Sequence, residues 1–107
     1  MKSLSPTEAY DVLNAGNAIL IDVREQKEYD EWHIEGAHLV PLSILPSAIE
    51  AINFPQDKKI IFHCLKGGRS AQAIDFLSEN ILRGLDVYNL DDGILAWHQD
   101  GLPIITP

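Results

Sequence analysis

Two short apolar runs stand out in the hydrophobic pattern of the chain, and each predicts a buried β-strand. The first is Ala18–Val23 and the second is Lys58–His63, with the continuous centre Ile60-Ile61-Phe62. Such runs, with little polar alternation, are typical of parallel strands that helices cover on both faces. Weaker patterns predict two further strands, at His38–Val40 and Val87–Leu90.

Helical patterns separate these strands. Residues Ser5 to Glu8 form a capping box with proline at the first helical position, which predicts a helix to about Asn14. The stretch 70–81 places four apolar side chains on one helical face: Ala73, Ile74, Leu77 and Ile81. Shorter helices are predicted over residues 25–32, 47–52 and 93–99. Because strands alternate with helices, we expect a three-layer α/β domain with a mostly parallel central sheet flanked by helices.

Length and composition narrow the possible partners. The 107 residues fit one domain, residues 1–107, and 46% of them are hydrophobic, which is enough for a substantial core. Sixteen acidic and eight basic residues give a net charge of −8. We therefore expect neither nucleic acid nor a membrane as a partner. The first residues lack an apolar signal core and no stretch could span a bilayer, so a cytoplasmic, reducing location is expected.

The cysteine and histidine content argues against a metal site. One cysteine, Cys64, excludes an internal disulfide and a multi-cysteine metal centre. Of the four histidines, only His33 and His38 lie close in sequence, and both are interpreted as solvated loop residues. We expect no metal and no cofactor.

The surroundings of Cys64 predict a reactive thiol. The cysteine ends the second buried strand, and a short loop with the adjacent glycines Gly67 and Gly68 separates it from a predicted helix. Glycines allow several backbone N–H groups to turn inward, and Lys66 and Arg69 add positive charge. Arg69 is expected either to brace the loop or to grip an oxyanion with both terminal nitrogens. Such a setting lowers the pKa of a thiol and makes the thiolate a nucleophile.

Four segments in order resemble the signatures of the rhodanese (thiosulfate sulfurtransferase) family. Ile21–Glu25 resembles the first signature, and His33–Ala37 resembles the segment that follows it. Cys64–Arg69 is similar to the six-residue active loop, with cysteine first and arginine last, and Leu90–Trp97 resembles the C-terminal signature. The match covers nearly the whole chain and implies a single rhodanese-like domain.

The C-terminal signature departs from the family pattern at one position. The family usually has two adjacent glycines there, whereas in this chain Asp92 precedes Gly93. Aspartate adopts left-handed turn conformations less freely than glycine, so the departure concerns the geometry of this loop and not the fold.

The resemblance implies sulfur transfer through Cys64. The thiolate would attack the outer sulfur of a donor such as thiosulfate, form a persulfide and pass the sulfur to cyanide or an external thiol. The loop residues would bind the anionic donor and the persulfide: Leu65, Lys66, Gly67, Gly68 and Arg69.

Two alternatives remain at this point. A cysteine-dependent phosphatase or arsenate reductase would use the same cysteine and arginine, but that signature has five residues between them, whereas four separate Cys64 from Arg69. A non-catalytic binding module with a rhodanese fold is the other, although the cysteine and the loop glycines are present.

Other polar and aromatic residues have structural interpretations. Asp22 and Arg24 are expected to form a structural hydrogen-bond network at a strand end. His63 precedes the nucleophile, but neighbouring strand residues point to opposite faces, so it is interpreted as a buried or flanking histidine and not as a general base. Trp32 and Trp97 are expected to pack in the core. The acidic residues between positions 25 and 35 are interpreted as a solvated face.

Overall fold

Five parallel strands form one central sheet in the computed structural model, which describes residues 1–107 apart from the side chains of Pro46 and Ala51. The strands are β1 (Ser3–Leu4), β2 (Ala18–Asp22), β3 (His38–Leu39), β4 (Lys59–His63) and β5 (Asp86–Leu90). Their order across the sheet is β1-β5-β4-β2-β3, and each neighbouring pair is parallel. The two long apolar runs of the sequence, β2 and β4, therefore lie next to each other in the middle of the sheet.

Four α-helices lie between the strands, and a fifth follows β5. They are α1 (Pro6–Asn14), α2 (Gln26–Glu31), α3 (Leu45–Ala48), α4 (Gly68–Leu77) and α5 (Gly93–Gln99). Two short 3₁₀ segments, Leu42–Ile44 and Ile49–Ala51, flank α3. None of the described helices combines the length and apolar character that crossing a bilayer requires.

The sheet has a separate hydrophobic core on each face. On one face, Phe62 of β4 packs with α3 and α4, which contribute Leu45 and Leu77 among others. On the other face, Ile61 packs with α1 and α5, to which Trp97 belongs. Adjacent residues of β4 thus enter different cores, as strand geometry requires. The predicted three-layer α/β fold is confirmed.

The start of α1 forms as the sequence predicts. Ser5 Oγ accepts a hydrogen bond from the Glu8 N–H group at 3.2 Å, and the Glu8 carboxylate accepts one from the Ser5 N–H group at 2.9 Å. This reciprocal capping box satisfies two N–H groups that a helix end otherwise leaves free.

Helix α4 starts earlier and ends earlier than predicted from its apolar face. Gly67 has a φ of +104°, and its carbonyl accepts the Ala71 N–H group at 3.1 Å, so the helix can begin at Gly68 and not at Ser70. It ends at Leu77 because the following chain turns, with the Leu82 N–H group donating to the Leu77 carbonyl. The apolar pattern continues through this turn because Ile81 still packs against the core.

Two other elements differ from the predictions. The helix predicted over residues 47–52 is not continuous. The structure instead has a 3₁₀ segment that begins at Leu42, the short helix α3, and a second three-residue 3₁₀ segment. Strand β1 was not predicted at all, since two residues with one polar side chain carry no periodicity.

The carboxyl end of β4 is the centre of the functional edge. Cys64 follows β4, Asp22 ends β2, and Leu90 ends β5, so the loops after three adjacent strands meet there. In open parallel sheets this edge is where ligands bind.

Candidate active site

The Cys64 sulfur lies inside a ring of hydrogen-bond donors. Cys64 is 1% exposed, and its Sγ accepts the Gly67 N–H group at 3.1 Å and the Ser70 N–H group at 3.4 Å. The Ser70 hydroxyl oxygen also lies 3.4 Å from Sγ. These donors come from the loop and the first turn of α4, and together they form a cradle for negative charge on the sulfur.

The loop residues predicted from the sequence surround this cradle in different ways. Gly67 is buried and adopts the left-handed conformation that turns its N–H group toward Sγ. Gly68 begins α4 and is exposed, as is Lys66, whereas Leu65 is half-buried against the core on the α1 and α5 face. The exposed ammonium of Lys66 is therefore available to an anion from solvent.

The cradle makes Cys64 more acidic than an ordinary cysteine. Burial alone raises the pKa of the thiol. Hydrogen bonds to the thiolate from Ser70, through its hydroxyl and its N–H group, and from the N–H groups of Gly67 and Lys66 outweigh burial. The pKa of Cys64 therefore lies below its usual range, which increases the thiolate fraction at neutral pH.

The N-terminus of α5 holds the start of the loop from behind. The Ile94 N–H group donates to the Cys64 carbonyl at 2.9 Å, and the Leu95 N–H group donates to the Leu65 carbonyl at 3.1 Å. Gly93 permits this approach, because a Cβ at its position would lie 2.4 Å from the Leu65 carbonyl oxygen. The backbone that carries the nucleophile is thus fixed by contacts on both sides.

Asp92 occupies the position at which the sequence departs from the two-glycine pattern. Its φ is +56°, which makes it the one non-glycine residue with a positive φ in the described chain. Aspartate tolerates this region better than most residues, so the loop keeps two consecutive left-handed residues, Asp92 and Gly93. With Asp92 at this position, the N–H groups of Ile94 and Leu95 donate to the loop carbonyls of Cys64 and Leu65.

Arg69 is paired with a carboxylate of α2. Its Nη1 and Nη2 donate to Glu28 Oε1 and Oε2 at 2.6 and 2.8 Å, a bidentate ion pair. Hydrogen bonding from Arg69 holds the pKa of Glu28 down at about 2, and Glu28 raises the pKa of Arg69. Of the two roles expected for Arg69, the bracing contact is present, and it ties the loop to α2.

A second, buried ion pair supports the edge of the sheet. The Arg24 guanidinium donates to both carboxylate oxygens of Asp22 at 2.9 to 3.2 Å and to the Trp32 carbonyl at 2.7 Å. Both charged side chains are fully buried. The predicted structural network of Asp22 and Arg24 is confirmed.

His63 lies beside this network and not in the cradle. It is fully buried, and its Nδ1 lies 3.4 Å from the Cys64 carbonyl oxygen. Its Nε2 lies 3.5 Å from Asp22 Oδ2 and has no hydrogen-bond partner among the described residues. Burial lowers the pKa of His63 more than the Asp22 carboxylate raises it. The imidazole is therefore neutral at pH 7, in agreement with its interpretation as a buried histidine.

The side chain of Asn89 supports the loop from β5. Its Nδ2 donates to the Gly67 carbonyl at 3.0 Å, and the Ser70 hydroxyl donates to its Oδ1 at 2.5 Å. The amide thereby connects the end of β5 to both residues whose N–H groups reach the sulfur.

Three residues of this site are not predicted by the sequence patterns. The interpretation of Glu28 as part of a solvated acidic face is wrong, because its carboxylate is half-buried against Arg69. Ser70 and Asn89 carried no distinguishing pattern. The identity of α2 as the segment opposite Arg69 depends on the strand order, which no local spacing encodes.

The packing expected of the tryptophans is confirmed, since Trp97 is buried and Trp32 packs at the border of the same core.

The arrangement suits a nucleophilic thiolate that carries a transferable group. The cradle stabilises one negative charge, and no group of three or more candidate metal ligands converges in the described chain.

Comparisons with known proteins identify the family of the chain. The family model of the rhodanese-like domain matches residues 5–100. A sulfurtransferase of Allochromatium vinosum is 34% identical over 92 residues, which cover 85% of this chain and 81% of the relative. A probable adenylyltransferase/sulfurtransferase MoeZ of Mycobacterium tuberculosis is 35% identical over 102 residues, 94% of this chain, although the chain spans only 26% of that longer relative.

The solved structures give the same answer. A rhodanese-related protein from Thermoplasma volcanium superposes with a TM-score of 0.84 at 30% identity, over 98% of each chain. The chain therefore belongs to the rhodanese-like family.

Proposed function

We propose that the protein transfers a sulfane sulfur from an anionic donor such as thiosulfate, through a persulfide on Cys64, to cyanide or an external thiol. The observation that supports this most directly is the buried Sγ with backbone donors from Gly67 and Ser70. A persulfide anion needs such donors, because it carries its charge on sulfur in a site closed to water.

The reaction proceeds in two displacement steps. The Cys64 thiolate attacks the outer sulfur of thiosulfate, a new S–S bond forms, and sulfite leaves with the electron pair of the old bond. The acceptor then attacks the outer sulfur of the persulfide, and the Cys64 thiolate leaves unchanged. Cyanide gives thiocyanate, and a thiolate gives a new persulfide. The electrons balance without a cofactor, and the acceptor comes from outside because the chain has one cysteine.

The size of the loop favours sulfur over phosphate. Four residues separate Cys64 from Arg69. The phosphatase alternative needs a guanidinium that grips the phosphoryl oxygens, whereas both terminal nitrogens of Arg69 are held by Glu28. Lys66 is the exposed cation next to the cradle, and we assign to it the attraction of the dianionic donor.

The first experiment measures thiocyanate formation from thiosulfate and cyanide. Replacing the only thiol by Cys64→Ser should reduce the turnover at least about 1,000-fold, because the covalent step is lost. Circular dichroism checks that the variant is folded, and the hydrolysis of an aryl phosphate is measured in parallel. Retained turnover in Cys64→Ser would exclude the persulfide route. Efficient phosphate hydrolysis without thiocyanate formation would establish the phosphatase alternative.

A further inference from the structure

Asn89 holds two groups of the active loop with one side-chain amide. Its Nδ2 lies 3.0 Å from the Gly67 carbonyl oxygen, and its Oδ1 lies 2.5 Å from Ser70 Oγ. The Gly67 carbonyl can only accept hydrogen bonds, so the amide nitrogen must face it. The orientation of the amide is thereby fixed, and its oxygen must face Ser70.

The contact between Asn89 and Ser70 requires the Ser70 proton. Two oxygens at 2.5 Å repel each other unless a hydrogen lies between them, and the amide oxygen has none to give. A hydroxyl has one proton and two lone pairs. While the proton points to Asn89, Ser70 presents only lone pairs to the Cys64 sulfur, 3.4 Å away.

Ionisation of Cys64 reverses what the sulfur needs from Ser70. A thiol can donate its own S–H to the lone pairs of the hydroxyl, whereas a thiolate can only accept. We propose that Asn89 is a positioning residue that competes with the Cys64 sulfur for the single hydroxyl proton of Ser70. The proton points to Asn89 when the sulfur is a thiol and turns to the sulfur when it is a thiolate. The competition for the proton does not depend on the proposed function. Only its effect on turnover rests on that function.

The competition predicts that removing Asn89 lowers the pKa of Cys64, whereas a simple supporting role does not predict a lower pKa. When Ser70 turns to the thiolate, its bond to Asn89 is broken, so Asn89 makes ionisation of Cys64 less favourable. Removing the amide oxygen should therefore make the thiol more acidic, although a contact to the loop is lost. A neutral hydrogen bond of ordinary strength corresponds to a shift of about half to one pKa unit.

Other charges around the sulfur remain in place in this comparison. They are Lys66 and Arg69 on the loop, Asp22 at the end of β2, and Asp92 before α5. The titratable but neutral His63 lies on β4. Arg69 and Cys64 interact electrostatically, and Arg69 stays fixed by Glu28. None of these groups contacts the Asn89 amide through the hydrogen bonds described above, so a substitution at Asn89 removes the Gly67 contact and one acceptor of the Ser70 proton. The acceptors that remain for this proton are the Cys64 sulfur and the Gly67 carbonyl oxygen, which lies 3.1 Å from Ser70 Oγ.

The experiment titrates the thiol directly and needs no substrate. Thiolate absorbance near 240 nm is followed against pH, and Cys64→Ser supplies the blank, because Cys64 is the only cysteine. The pH dependence of the alkylation rate with iodoacetamide gives a second value. Asn89→Ala should lower the pKa of Cys64 by about half to one unit, whereas Ser70→Ala should raise it. In the Ser70→Ala background, Asn89→Ala should change the pKa by less than about 0.3 units.

Asn89→Asp is the comparison variant. It loses the donor to Gly67, as Asn89→Ala does, but keeps an acceptor for the Ser70 proton and adds a negative charge, so it should raise the pKa and not lower it. If Asn89→Ala is unfolded at the assay temperature, Asn89→Val, which suits a strand, replaces it. An unchanged or raised pKa in the alanine or valine variant would overturn the inference, as would the same shift with and without Ser70. A protein that shows these shifts but transfers no sulfur would contradict the proposed function alone.

Discussion

The ion pair between Glu28 and Arg69 predicts how the loop depends on pH. Replacing Glu28 by glutamine keeps the size of the side chain and removes its charge. The pKa of Glu28 falls from 4.5 to about 2 in the folded protein. That difference corresponds to about 3.4 kcal/mol if it were fully expressed. The two side chains are 32% and 35% exposed, so solvent screening reduces the expected destabilisation to about 1–2 kcal/mol.

The sign of the pH dependence follows from the direction of the pKa. A depressed carboxyl pKa stabilises the fold above the unfolded value, and this stability is lost as pH falls from about 4.5 to about 2. Glu28→Gln should therefore lower Tm by roughly 4–8 °C at pH 7. Its deficit relative to the natural protein should shrink by more than half at pH 3, because the unfolded carboxylate of the natural protein is then protonated.

Urea unfolding at pH 7, 5, 4 and 3 measures this deficit. Glu31→Gln is the matched control, since Glu31 ends the same helix and is exposed, and it should change the free energy of unfolding by less than about 0.5 kcal/mol. A deficit in Glu28→Gln that is constant from pH 7 to pH 3, or equal to that of Glu31→Gln, would refute the reasoning.

Two further predictions concern the donor and the rear support of the loop. Lys66→Ala should raise the KM for thiosulfate several-fold with a smaller change in kcat, and the effect should weaken with added salt. Lys58→Ala, about 20 Å away at the other end of β4, is the control. An unchanged KM in Lys66→Ala at low salt would show that Lys66 does not bind the donor. Gly93→Ala should destabilise the protein by at least about 3 kcal/mol, because its Cβ would lie 2.4–2.5 Å from backbone atoms of Cys64 and Leu65. Gly16→Ala, with a similar φ of +75° and open space around it, should cost only about 1 kcal/mol in urea unfolding, and equal losses would contradict the steric argument.

Much of the fold could be predicted from local patterns. The apolar centres of β2 and β4 and the capping box at Ser5 are signals that a short stretch of chain carries by itself. The first residue of α4 could not be predicted from local patterns. The helix begins at Gly68 because Gly67 is left-handed, and Gly67 is held by a contact with the end of β5.

The site could be predicted as a loop but not as a network. Cys64 and the loop glycines lie within five consecutive residues. The predicted strand that ends at the cysteine is therefore enough to place the whole loop at a strand end. Glu28 and Asn89 lie 41 and 22 positions from the loop residues they bind, and only the order of β5, β4 and β2 brings them together. The sequence pattern does not distinguish Glu28 from the acidic residues near it. Glu28 differs from them because its carboxylate pairs with Arg69.

A persulfide on Cys64 is the most direct test of the sulfurtransferase proposal. The intact protein is treated with thiosulfate, freed of excess reagent and measured by mass spectrometry, with Cys64→Ser treated alongside. One added sulfur, about 32 Da, should appear on the peptide that contains Cys64 and disappear when cyanide is added. No gain of sulfur with thiosulfate or any other sulfane donor, or an equal gain in Cys64→Ser, would contradict the account.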